Sequence, residues 1–364
     1  MIKVDNLIIG GGVAALWLNA QARLAGLNTL LVAPDLGGGQ SLLSQGIIHG
    51  GTKYALQGSL TGASEAIKAM PQRWLDALAG TGPVDLSEAR IASDAQLMIH
   101  NASMGGKLVQ FFASKALRGR VERITPPAFL NPKDRVYRLA EPVIDTASVL
   151  AALATQAPCI NDRVVGFDAE NRVVTLQTGR TIQCENAVLL AGEGNEALLT
   201  AAGHESPSMQ RRPLQMLVGQ GELPPLWAHV VGTGAKPLAT ITTHAGYWYV
   251  GGDIAERGAD MTEQDFLQWA PAALAGYLPS VDLSSIKWSG VRVNRAEPAQ
   301  GSGQRPDSAF IQNLGWLTVG WPTKLALAPA LADAVMPNLA RPTGTHSVVD
   351  SEAIALAPTP WHRT

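Results

Sequence analysis

The first thirty-five residues constrain this chain more than any other stretch. Val4 to Ile9 is short and mostly apolar and ends in glycines, so it reads as a buried strand. The glycines fit G-x-G-x-x-A at Gly10, Gly12 and Ala15. An amphipathic run from Val13 to Leu24 follows, and Gly26 stops it as a helix C-cap would. Thr29 to Val32 reads as a second buried strand. Strand, turn, helix and strand together have the length of a dinucleotide-binding unit. Gly10 permits the tight turn, Gly12 lets backbone approach a pyrophosphate, and Ala15 lets helix and strand pack closely. The diphosphate then meets the free N–H groups of the first helical turn, around Val13 and Ala14.

One part of that pattern is missing. The second strand usually ends in Asp or Glu for the ribose hydroxyls. Here Ala33 and Pro34 stand at that place, and Asp35 comes two residues late. Either Asp35 reaches back, or the loop Gly37-Gly38-Gly39-Gln40-Ser41 holds the ribose.

Composition narrows the rest. A chain of 364 residues, 46% hydrophobic, is long enough for one large two-part fold or two domains. A net charge of -2 gives no reason to expect nucleic acid or an acidic membrane as partner. Cys159 and Cys184 fit a reduced, cytoplasmic protein with buried thiols, and no metal site is expected. The first apolar run lacks a basic leader and reads as the strand itself, not as a signal peptide, and no run has the length of a membrane span. The 37 glycines exceed the usual share of about 7%. Their clusters at 10–12, 37–39, 50–51, 192–194 and 251–252 suggest several segments whose backbones approach one ligand.

After the glycine loop comes Ser44-Gln45-Gly46-Ile47-Ile48-His49-Gly50-Gly51-Thr52-Lys53-Tyr54-Ala55-Leu56. Its small residues hold the backbone close to something, and His49, Lys53 and Tyr54 are unusual on a plain loop. This segment and the N-terminal glycines together resemble the FAD-dependent oxidoreductases of the D-amino-acid-oxidase superfamily. The local flavour is that of glycerol-3-phosphate dehydrogenases and 2-hydroxyglutarate oxidases, and the wider group includes glycine and sarcosine oxidases. The resemblance implies that Gly46 to Gly51 line the isoalloxazine, with His49 and Lys53 near the substrate. It also implies FAD contacts at Gln40, Ser41, Ser44 and Gln45. Read alone, His49 is a satisfied loop histidine.

The middle of the chain reads more weakly. A helix over Thr61–Ala79 has Ala63, Ile67, Met70, Trp74 and Leu78 on a core-facing stripe. Short strands at Ala95–His100, Val121–Ile124 and Val136–Leu139 surround a helix expected over Gly105–Leu117. A helix over Thr146–Gln156 precedes strands at Arg163–Asp168 and Val173–Gln177. Val164 opens the first of these and counts as an expected cofactor contact. A buried strand, Ala187–Leu190, runs into a second G-x-G-x-x-A at Gly192, Gly194 and Ala197. No strand with an acidic end follows it, so a second nucleotide site is disfavoured. The resemblance makes it the chain's return to the FAD, through Gly192 and Gly194. Strands at His229–Gly232, Leu238–Thr243 and Tyr247–Val250 carry His244, Tyr247, Trp248 and Tyr249, and a helix over Phe266–Tyr277 puts Trp269 in the core.

Trp288-Ser289-Gly290-Val291-Arg292-Val293 resembles the family's G-x-R-P segment, with Val293 in place of the proline. The resemblance makes Arg292 a clamp for a substrate carboxylate or another anion at the flavin; the bland alternative is an ion pair with Glu297 or another acid. A guanidinium suits a carboxylate because it offers two parallel hydrogen bonds. The strand Trp316–Val319 ends in Gly320-Trp321-Pro322-Thr323-Lys324-Leu325, where relatives aim backbone N–H groups at the flavin pyrimidine and often carry more glycine. A helix follows to about Val335, and the polar, proline-rich tail after Arg341 is expected to drape over the surface.

The fold class expected is α/β (α+β overall), with a Rossmann-type FAD-binding domain and a mainly antiparallel-sheet substrate domain. The first takes residues 1–85, 143–212 and 288–364; the second takes 86–142 and 213–287. FAD is expected to bind noncovalently. The implied reaction moves a hydride from a substrate C–H, beside an amine or hydroxyl, to flavin N5. Arg292, Lys53 and Lys324 are the candidate cations and point to a small anionic substrate. His49 or His244 would take the proton of a hydroxyl substrate, whereas a neutral amine needs no base. The acceptor would be oxygen, a quinone or a carrier protein. Two other readings compete: a flavin-binding subunit or partner-dependent flavoprotein without turnover of its own, and a pyridine-nucleotide enzyme.

Overall fold

The computed structural model describes residues 1–50, 67–101, 121–232, 236–301, 306, 308–344 and 346–363. Gly51, Lys53, Tyr54 and the expected helix Gly105–Leu117 lie outside the described residues, as does the first part of the expected helix Thr61–Ala79.

Two eight-stranded sheets organise the chain. The first is built on a parallel core of Leu317–Trp321, Thr181–Leu189, Ile2–Ile9, Thr29–Ala33 and Cys159–Asn161, in that spatial order. Its central strand Ile2–Ile9 ends in the apolar run Leu7-Ile8-Ile9 because it is covered on both faces. Ile8 sits between Val188 on one side and Leu31 on the other. On one face lies the helix Val13–Leu24, whose buried side Leu16, Trp17 and Ala20 packs with the helices Thr146–Ala154 and Ala328–Val335. The opposite face is a separate core that includes Leu7, Ile9, Leu189 and Trp321.

The second sheet follows the order Lys287–Pro298, Met209–Gln220, Tyr247–Gly251, Pro237–His244, Ala228–Val231, Gln96–His100, Arg135–Leu139, Val121–Ile124. One face carries the helix Glu263–Tyr277, where Phe266, Ala270 and Leu274 pack on Leu217, Ile241, Trp248 and Val250. Trp269 is not in that buried row; it lies at the edge beneath the Arg257 guanidinium, 4.5 Å from the ring centroid. The other face presents Met216, Val218, Tyr249 and Val293, against which Leu43 and Trp361 pack. The strands Met209–Gln220 and Lys287–Pro298 pair along their whole length in this second sheet, so it runs past the positions expected as domain borders at 212 and 288.

The helix near Trp74 is resolved as Met70–Leu78, with Pro71 in its first turn. Trp74 is fully buried, stacks at 59° on Trp17 and donates its indole N–H to Ala326 O at 3.0 Å. The tail lies over the surface and is stitched down there. Glu352 N–H donates to Cys159 O and Ala357 N–H to Leu36 O, and Trp361 finally docks on the second sheet. Among the described residues no helix is long and apolar enough to cross a membrane.

Candidate active site

The glycine turn forms as its chemistry requires. Gly10 has φ +138°, and a Cβ there would stand 2.5 Å from Leu190 O. A Cβ on Gly11 would stand 1.9 Å from Asp35 O, which no side chain tolerates. Gly12 caps the helix with extended backbone and no side-chain cap. The first N–H groups of a helix have no partner within it, and the positive end of the helix lies at this turn; the Val13 N–H, expected to meet a diphosphate, is instead taken by a side chain. Ser41 Oγ accepts the Val13 N–H at 3.0 Å and so closes one wall. Asp35 does not reach back; its Oδ1 accepts the Gly38 N–H at 2.8 Å and shapes the Gly37–Ser41 loop instead.

The second glycine turn lies beside the first. Its strand, Thr181–Leu189, pairs in parallel with Ile2–Ile9. Gly192 has φ +59° and faces Gln40 Nε2, while its carbonyl accepts the Trp321 indole N–H at 2.9 Å. Asn195 ties the same turn to the last strand by donating to Gly320 O at 3.1 Å. Gly194 follows in the short 3-10 turn. Beyond Trp321 come Pro322, Thr323 at φ +60°, buried Lys324 and the short helical turn from Leu325. Val164 is buried in the core behind this region, among Leu189 and Leu199. Gly10, Gly12, Gln40, Ser41, Gly192 and Trp321 thus border one backbone-lined cradle that fits a dinucleotide.

From the cradle the chain crosses onto the second sheet. Ser44 Oγ donates to Ser41 O at 2.8 Å, and Gln45 Nε2 donates to both Thr240 O and Tyr249 O. Gly46, at φ +72°, brings its backbone against Ile144, where a Cβ would stand 2.2 Å from the carbonyl oxygen. Three residues on, His49 meets Glu141 and His229. Its Nδ1 lies 3.5 Å from Glu141 Oε2, and its ring stacks on His229 with centroids 5.8 Å apart. Glu141 is almost wholly buried and accepts the Gly50 N–H at 2.8 Å. Burial alone would raise its pKa, but the His49 contact, the Gly50 N–H and the nearby His229 outweigh it and bring the carboxyl down to about 2. The donor atoms of the three residues lie within 4.8 Å of one another, a grouping that could hold a metal ion and that the sequence did not reveal.

His244 is placed differently. Its Nε2 faces Gln45 O at 3.2 Å, and its ring is covered by the Trp361 indole at 5.3 Å, nearly parallel. Burial lowers its pKa. Tyr247 and Tyr249 share this face, whereas Trp248 points to the opposite core.

Arg292 does not join this site. It is exposed and lies on the helix-bearing face of the second sheet, where it donates to Ala259 O at 3.2 Å and Met261 O at 2.6 Å. Side chains alternate along the strand, so Val291 and Val293 take the inner face and Arg292 the outer. Nor does Arg292 pair with Glu297; that buried acid pairs with Arg212. Of the other expected cations, Lys324 stands at the last turn and Lys53 lies outside the described residues.

A parallel sheet with a glycine turn beside a sheet that carries histidines and tyrosines is an arrangement suited to a dinucleotide-dependent protein. Comparison with known proteins makes the class specific. The family model for FAD dependent oxidoreductase, DAO, matches residues 5–334. The chain is 48% identical over 356 residues to the probable FAD-dependent oxidoreductase PA4991 of Pseudomonas aeruginosa, covering 93% of this chain and 91% of the relative. The crystal structure of that protein superposes with a TM-score of 0.82 at 39% identity over 100% of this chain and 98% of that one. More distant in sequence but similar in fold is glycine oxidase from Geobacillus kaustophilus, with TM-score 0.69 at 14% identity, over 94% and 96% of the two chains. L-alpha-glycerophosphate oxidase from Mycoplasma pneumoniae, solved with FAD bound, gives 0.65 at 14%, over 94% and 97%. The chain belongs to the DAO family of FAD-dependent oxidoreductases. Its cofactor is FAD.

Proposed function

We propose that the protein oxidises a small amine or hydroxy compound at a C–H bond next to the heteroatom, with flavin N5 as the hydride acceptor. FAD supplies the redox chemistry. The protein's own residues orient the substrate, exclude water and handle the proton. The observation that carries this reading is His49. It sits three residues beyond Gly46 on the segment leading out of the cradle, with its side chain 31% exposed and its inner nitrogen turned to a buried carboxylate. An imidazole in that setting can take the proton of a hydroxyl as the C–H bond breaks. We assign this role to His49 over His244, because Trp361 covers the His244 ring and Gln45 O occupies its Nε2. A preference for anionic substrates rests on Lys324, since Arg292 points away. We further propose a discontinuous FAD domain around the first sheet and a substrate domain around the second.

The test is an anaerobic titration of the purified flavoprotein with amino acids, hydroxy acids and glycerol phosphates, followed by flavin absorbance. Bleaching by one panel is the expected result and names the substrate group. Flavin bands that no panel bleaches would overturn the assignment to these classes. His49→Asn should slow bleaching by a hydroxy substrate by about 10²-fold or more, the usual contribution of a general base.

A further inference from the structure

His49, Glu141 and His229 come from three distant parts of the chain, and the fold brings them into one group in which Glu141 and His229 are buried and His49 is partly exposed. Glu141 lies between two fixed neighbours. Its Oε1 accepts the Gly50 N–H at 2.8 Å, and its Oε2 faces His49 Nδ1 at 3.5 Å. That second distance is long for a hydrogen bond, and a movement of about 0.6 Å would make it a normal one. The Nδ1 atom is itself buried, so the exposed part of the His49 ring is its far edge. An imidazole nitrogen without a proton would set its lone pair against the carboxylate; one with a proton donates to it.

We propose that Glu141 is the positioning residue of His49: it holds the imidazole with Nδ1–H directed inward and so presents Nε2, unprotonated, on the open edge. The proposal deepens the reading of His49 as proton acceptor and rests on it for its functional meaning. His229 completes the arrangement. Its Nδ1 is within 2.9 Å of Thr240 Oγ1, and its ring, inclined only 17° to that of His49, fixes the plane in which the imidazole lies.

Gly50 makes the proposal sharply testable. In Glu141→Gln an amide oxygen kept on the Gly50 N–H leaves the NH2 group facing His49 Nδ1. Nδ1 then has to accept, and the proton moves to Nε2. Nitrogen NMR on the FAD-loaded protein labelled at histidine, with His49→Asn to assign the signal, reads this directly. The wild type should show an unprotonated Nε2 and a protonated Nδ1, and E141Q should show the reverse. A wild-type His49 with its proton on Nε2 overturns the proposal without any variant. So does an unchanged tautomer in E141Q, or a stoichiometric divalent ion in the purified wild type by elemental analysis. Where E141Q does not fold, Glu141→Asp keeps the charge but withdraws it by one methylene, and should give a mixture of tautomers; a single unchanged tautomer counts against the proposal. These readings need no substrate. A protein that no substrate panel bleaches would therefore sink the proposed function while leaving the tautomer result standing.

Discussion

The two ends of the site are built in opposite ways. The cradle at Gly10–Gly12 and Gly192 is made mainly of backbone, which can close up only where a glycine leaves out the side chain. The group at His49, Glu141 and His229 is made of side chains from three segments: Glu141 accepts the Gly50 N–H, His229 Nδ1 meets Thr240 Oγ1, and His49 Nδ1 faces Glu141 at 3.5 Å. A backbone site is local. Its geometry is set by a handful of adjacent φ/ψ values, so it stands in the sequence as a readable string. A side-chain site of this kind is non-local, and only the pairing of Gln96–His100 with Ala228–Val231 and the docking of residues 46–50 on Val143–Ile144 place its members together.

This comparison breaks most sharply at Gly11. Gly11→Ala puts a methyl group 1.9 Å from Asp35 O, so the turn must open. Purified protein should lose nearly all its flavin absorbance relative to protein absorbance. Gly39→Ala, in the same loop system but with nothing within 4 Å of its new methyl group, should keep it. Equal flavin content in the two variants would mean that backbone closeness is not what builds the cradle.

At the side-chain end the expected effect is on stability and depends on pH. Glu141 has its folded pKa depressed to about 2, below the unfolded value of the usual carboxylate range. Its charged form therefore stabilises the fold above that unfolded value, and the contribution is lost as pH falls from there toward about 2. The urea midpoint of wild type should exceed that of Glu141→Gln by the equivalent of roughly 2–3 kcal/mol at pH 7. The gap should narrow as the pH is lowered below about 4.5. A gap that is constant with pH would show that shape, and not charge, is what Glu141 contributes.

The legibility of the chain follows the same division. Most strands of the first sheet's parallel core, the helix Val13–Leu24 and both glycine turns could be read directly, because period, caps and glycine spacing are local signals; the short strand Cys159–Asn161 was not legible in the same way. His49 stood out for the same reason, as a histidine among glycines. Glu141 and His229 did not, since Glu141 sits in an ordinary turn before Pro142 and His229 looks like one more strand residue. Trp361 was hidden as well: a lone tryptophan in a proline-rich tail gives no sign that it will stack on His244 and Tyr247. Trp361→Ala should therefore cost a moderate amount, about 1–2 kcal/mol for a half-exposed aromatic contact, seen as a drop of a few degrees in Tm. It should also expose the His244 edge to solvent, detectable as faster labelling of that histidine. Unchanged Tm and labelling would mean that the tail does not cover the sheet.

Arg292 gives the smallest expected effect and the most instructive one. The resemblance read from Gly290-Val291-Arg292 placed its guanidinium at the flavin, but a motif fixes spacing and leaves the face to the strand's register. The structure puts Gly290 against Phe266 and Gln215 and sends Arg292 to the same helix-bearing side, onto the carbonyls of Ala259 and Met261. Two hydrogen bonds from an exposed guanidinium to loop carbonyls are worth about 1 kcal/mol or less after solvent competition. Arg292→Ala should thus shift the urea midpoint slightly and leave the substrate concentration for half-maximal flavin bleaching within about twofold of wild type, the change expected when no substrate contact is lost. A tenfold or larger weakening with one substrate panel, at unchanged stability, would put Arg292 back at the flavin. The strand would then have to present its opposite face, moving Val291 and Val293 out of the contact they share with Tyr249 and Met216.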